Sequence, residues 1–100
     1  MFGSLFKRSA SKRKLRPDDV RGLVRQFVDD WPPFHDSYGQ APDITVEWVK
    51  DGQAKGTWVA SIIPALDIRC SVFVDDEAGQ VIEAQLTAMR TRDVVAHWRR

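Results

Sequence analysis

Between positions 17 and 31 the apolar residues recur with a helical period. Val20, Leu23, Val24, Phe27, Val28 and Trp31 follow the i, i+3, i+4, i+7, i+8, i+11 spacing that stacks side chains on one face of a 3.6-residue helix. Arg21, Arg25, Gln26, Asp29 and Asp30 take the opposite face. Pro17 suits the first helical position, where no N–H is needed, and Asp18 and Asp19 set negative charge against the positive end of the helix dipole. Trp31-Pro32-Pro33 stops the run. Each apolar side chain contributes roughly 1.5–3 kcal/mol if fully buried, so the helix requires a second apolar surface.

Positions 32–43, PPFHDSYGQAPD, read as a long loop by their Pro, Gly and Asp content. Period-2 alternation then begins. Ile44, Val46 and Trp48 oppose Thr45, Glu47 and Val49, and positions 50–53 turn the chain. Trp58, Ala60 and Ile62 oppose Thr57, Val59, Ser61 and Ile63, and Pro64 is expected to end that strand. Leu66, Ile68, Cys70, Val72 and Val74 form an apolar stripe against Asp67, Arg69, Ser71 and Phe73. After a hairpin loop at 75–79, positions 80–88 turn Ile82, Ala84, Leu86 and Ala88 inward and Val81, Glu83, Gln85 and Thr87 outward. Thr91 is placed to cap a last helix over 92–98, with Val94, Val95 and Trp98 on one side.

One apolar face per strand is the signature of a sheet covered on a single side. The expected fold is α+β: a two-layer sandwich with an N-terminal amphipathic helix on a four-stranded antiparallel meander, a short C-terminal helix, and a flexible basic tail over 1–16. Residues 17–100 form the single domain. In layout this resembles cystatin-type rolls, in which an N-terminal helix lies across a curved sheet; no motif extends the likeness to function.

Composition agrees with one globular domain: 100 residues, 43% hydrophobic and 29% charged. No apolar run approaches the ~20 residues of a membrane span, and no apolar stretch of a secretory signal follows the basic start. A cytoplasmic location is expected, with peripheral attachment at the inner face of the membrane as its variant. The net charge of +1 conceals an asymmetry: residues 1–16 hold six basic residues and no acid, so the remainder sums to −5. Arg outnumbers Lys ten to five and Asn is absent, a compositional hint of a GC-rich bacterial or phage gene.

Candidate chemistry is sparse. His35-Asp36-Ser37 contains the parts of an acyl-transfer triad, yet triads assemble in space, and a turn explains the same three residues. Cys70, the sole cysteine, sits mid-strand among apolar neighbours and reads as core. His35, His97 and Cys70 lack the close spacing of metal ligands. Asp75, Asp76 and Glu77 lack the pattern of a calcium loop and read as a solvated hairpin tip. GxxxxGK[ST], GxGxxG and GxSxG are absent. No enzyme, cofactor or metal is expected.

Two surfaces remain as binding candidates. The outward sheet positions Glu47, Val49, Val59, Arg69, Phe73 and Glu83, joined by Phe34, His35 and Tyr38 of the 32–43 loop, mix apolar and charged groups as partner-binding patches do. This points to a non-catalytic interaction module, an adaptor, inhibitor or immunity-type protein. Its partner is another protein, of basic character to suit the acidic body, or a second copy of the chain. The alternative is weak contact with an anionic membrane or nucleic acid through Lys7, Arg8, Lys12, Arg13, Lys14 and Arg16, with Phe2, Leu5 and Phe6 as a shallow anchor. A small enzyme using His35 or Asp36 as base at the open end of a curved sheet ranks last.

Overall fold

The computed structural model of the chain describes residues 13–50, 52 and 56–100. Its elements run α1 (Pro17–Asp30), α2 (Pro32–Tyr38), β1 (Thr45–Trp48), β2 (Thr57–Ala65), β3 (Ile68–Asp75), β4 (Gln80–Ala88) and β5 (Asp93–Arg99). All five strands pair antiparallel in chain order, so the fold is α+β with two helices and a five-stranded meander among the described residues. The apolar segment 1–6 and Lys7, Arg8 and Lys12 lie outside those residues.

Helix α1 forms as its period predicts. Pro17 occupies the first turn, the Arg16 N–H donates to the Asp19 carboxylate at 2.9 Å, and Val20, Val24 and Val28 are wholly buried against the sheet. Leu23 and Phe27 lie at the margin of that face, half-buried. Arg21 and Arg25, on the expected solvent face, tie the helix down: Arg21 Nε donates to the Ile44 carbonyl and an Arg25 guanidinium nitrogen to the Ala41 carbonyl, both at 3.0 Å.

The segment expected as one long loop contains α2. Trp31 ends the first helix and caps the second, its carbonyl accepting from the Phe34 and His35 N–H groups at 2.9 and 2.8 Å. Pro32 and Pro33 stop α1 and fall at the start of α2, where their missing N–H groups leave no bond unmade. Phe34 is thereby carried into the core, edge-on to Tyr38.

The last element is a strand where a helix over 92–98 was expected. Ala96 and Trp98 face Leu86 and Ala84 across the β4–β5 ladder, while His97 and Arg99 point the other way. Seven residues are too few to separate period 3.6 from period 2. The β-branched pair Val94-Val95 and the open edge of β4 favour the extended form. Arg92, at φ 66°, makes the turn that sends the chain back.

Three smaller departures share a cause in irregular pairing. The ladder shifts between Phe73 and Val74, so Ile82 becomes the extra residue and Val81, expected outward, is buried. Strand β2 continues through Pro64 to Ala65, the proline lying within a second register shift. Leu66 then sits 95% exposed at the β2–β3 turn instead of on the β3 stripe.

Candidate interaction surfaces

Both helices lie on one side of the sheet, where Val20, Val24, Val28, Trp31 and Phe34 pack with Trp58, Ala60, Ile62, Cys70, Val72, Val74, Ala84 and Leu86. Burial pushes the Cys70 thiol up to about 12, which keeps it protonated and unreactive. The opposite side carries no element among the described residues. Register sets its side chains in rows across the strands. One row runs Glu47, Val59, Phe73, Glu83, Arg99; the next runs Thr45, Ser61, Ser71, Gln85, His97. Val59 and Phe73 are half-buried neighbours in mid-sheet, flanked by the two carboxylates. Glu83 is engaged, with His97 Nε2 at 2.7 Å and an Arg99 guanidinium nitrogen at 3.8 Å.

From Ser71 and Gln85 of the second row outward, Arg69, Thr87, Met89 and Arg92 complete the lining of a shallow hollow of about 390 Å³. Arg92 enters from the β4–β5 turn, a contribution hidden from the sequence while 92–98 read as a helix. The three expected members from the 32–43 segment do not join this face. Phe34 is buried, and His35 and Tyr38 belong to α2 in the helix layer. Val49 lies just past β1, and its N–H donates to the Thr57 carbonyl, which continues the register of Thr45 and Glu47 on this side. His35, Asp36 and Ser37 are exposed on successive positions of a short helix, which directs them apart.

The basic segment is engaged where it is described. The N–H groups of Lys14 and Leu15 donate to the two Asp76 carboxylate oxygens at 2.7 and 2.9 Å, and Trp58 Nε1 donates to the same group at 2.9 Å. Asp76, expected at a solvated tip, is therefore buried. Burial opposes its charge, but the Lys14, Trp58 and Leu15 N–H donors, helped by the Lys14 ammonium, hold the carboxyl below its ordinary value. Lys14 also bonds Glu77 at 2.7 Å, which holds its ammonium above the usual lysine value. The Arg13 guanidinium rests 5.7 and 5.5 Å from the ring centres of Trp48 and Trp58. Arg16 is exposed at the start of α1.

The third surface is the border where β5 meets α1. Phe27 contacts Trp98 and Trp31 at ring distances of 4.9 and 5.6 Å. Leu23, Phe27, Trp31, Pro32 and Trp98, with Gln26 and Asp30, line an open groove of about 480 Å³ there. Val94 and Val95 stand 54% and 57% exposed on the adjoining edge.

Among the described residues, no three His, Cys, Asp or Glu come together as metal ligands, and no helix is long and apolar enough to cross a membrane. Comparisons with protein-family models, curated proteins and solved structures return no match to this chain.

Proposed function

We propose that the chain is a non-catalytic interaction module that binds a partner protein on the outer face of its sheet. The observation that supports this is the row Glu47, Val59, Phe73, Glu83, Arg99: an apolar centre flanked by charge, on a face that neither helix covers. Phe73 is the anchor, an aromatic with a β-branched neighbour on one side and carboxylates around it. A partner suited to this row offers an apolar side chain to Phe73 and a basic group to Glu47, Glu83 being already held by His97 and Arg99. The functional class is an adaptor or inhibitor of a basic protein.

Partner capture tests the reading. The immobilised wild-type chain and its Phe73→Ser variant are exposed to the same source lysate, and retained proteins are quantified by mass spectrometry. One partner is expected to drop at least roughly thirtyfold with the variant, since a central aromatic anchor carries about 2 kcal/mol or more. Melting temperatures of the two chains should agree. Equal capture with equal melting would reduce the face to ordinary solvated sheet.

A further inference from the structure

The two sheet edges are treated differently. Strand β1 is four residues long and follows Pro42, the kind of short, proline-flanked edge that resists pairing. Strand β5 is seven residues, with no Pro or Lys and two exposed valines. The Arg100 N–H donates inward to the Ile82 carbonyl at 3.0 Å, so strand alternation turns the main-chain groups of His97 and Arg99 toward the open side. Among the described residues nothing covers this edge, and an open edge of this length is a template for another strand.

We propose that its occupant is a second copy of this chain, the two β5 strands pairing antiparallel about a two-fold axis to make one ten-stranded sheet. Charge order along the strand supports this choice. Strand β5 opens with Asp93 and runs into Arg99 and Arg100. Antiparallel pairing centred on Ala96 lays the acidic start of each copy against the basic end of the other. The register shift between Leu86 and Thr87 inserts one extra residue near Val95. It moves the pairing by a single position, and Asp93 then still meets the Arg99-Arg100 pair. Ala96 meets Ala96, the smallest apolar side chain at the closest approach, and His97 meets Val95. A parallel arrangement would set Asp93 beside Asp93 and Arg99 beside Arg99.

The two-fold axis is normal to the sheet, because antiparallel pairing of identical edges preserves which face is up. Both helix layers therefore lie on one side. The grooves between α1 and Trp98 then face each other across the seam, and that gives the half-buried apolar walls of Leu23, Phe27 and Trp98 a neighbour. The outer faces merge into one surface carrying two Phe73 positions. The pairing uses the edge and stands independently of partner binding on the outer face.

Sedimentation velocity on the full chain across a wide concentration range reads the outcome. The expected species at high concentration has twice the 11.4 kDa chain mass. Val95→Lys sets an ammonium in the seam of each copy and should weaken dimerisation roughly tenfold or more. Asp93→Arg should weaken it likewise, and adding Arg99→Asp and Arg100→Asp to that variant should restore it. Circular dichroism checks that each variant is folded; Val95 and Asp93 are exposed, so folding should survive. Phe73→Ser should leave the mass unchanged. A monomer at every concentration overturns the proposal. So does a dimer that ignores Val95→Lys and the charge reversals, or one that Phe73→Ser dissociates.

Discussion

Asp76 joins three parts of the chain at one carboxylate. Its oxygens accept from the main chain of Lys14 and Leu15 and from the Trp58 indole, and the first of those donors is 62 residues away in sequence. Hydrogen bonds to a charged acceptor contribute about 1.5–3 kcal/mol each, and a buried donor left unpaired costs about 1–3 kcal/mol. Asp76→Ala should therefore destabilise by about 3 kcal/mol in urea denaturation, and Asp76→Asn by less, because an amide oxygen still accepts. The pH dependence has a definite sign. With the folded carboxyl held below its ordinary value of 3.8, its contribution is full above that value and is lost as pH falls through the lower folded value. The stability gap between wild type and Asp76→Ala should be constant above about pH 5 and should close in acid. A gap that does not change with pH would mean that the charge is not what the donors hold. Nothing in Asp75-Asp76-Glu77 marks the middle acid as the buried one, because its donors come from segments that pattern reading treats separately.

At the scale of elements, the alternation of Trp58, Ala60, Ile62 and of Cys70, Val72, Val74 was legible since a period of two has no helical counterpart over that length. The face of α1 was legible for the same reason at 3.6. What pattern could not give was β5, whose seven residues satisfy both periods, and α2, whose two prolines signal a break and a start alike. Nor does alternation foresee a bulge, and one extra residue at Ile82 brought Val81, expected outward, into the core. Burial also redistributes the expected energetics of α1. Sequence spacing ranks Leu23 and Phe27 with Val24, but Val24 is the one with no exposure. Val24→Ala should cost about 1.5–2.5 kcal/mol, for two lost methyl groups plus an unfilled space. Arg25→Ala, on the expected neutral face, should cost about 0.5–1.5 kcal/mol because it frees the Ala41 carbonyl. Urea denaturation of the two variants checks both values. An Arg25→Ala chain as stable as wild type would remove the tie from the account of how α1 is held.

For the whole molecule, placing both helices on one side leaves the outer face uncovered among the described residues and ends the helix layer short of the β5 edge; the two proposed interfaces follow from that single arrangement. The outer row of Glu47, Val59, Phe73 and Glu83 was readable once the strands were taken in chain order. Arg99 joined that row, and His97 and Arg92 the same face, only because β5 is a strand. The lower boundary of the fold is also displaced from where charge alone would draw it. Charge groups 13–16 with the basic tail, yet Arg13 packs on Trp48 and Trp58, and Lys14 and Leu15 donate to Asp76. Truncation separates the two accounts. A chain starting at residue 13 should melt as the full chain does if positions 1–12 add nothing to this packing. A chain starting at residue 17 loses both main-chain donors and the Arg13 contact, leaving Asp76 with the Trp58 donor. Its stability should fall by about 2–4 kcal/mol, and by much less when Asp76→Ala is already present, because the lost bonds and the lost carboxylate are one interaction. Equal losses in both backgrounds would place the effect of 13–16 elsewhere, in Leu15 packing against the core beside α1.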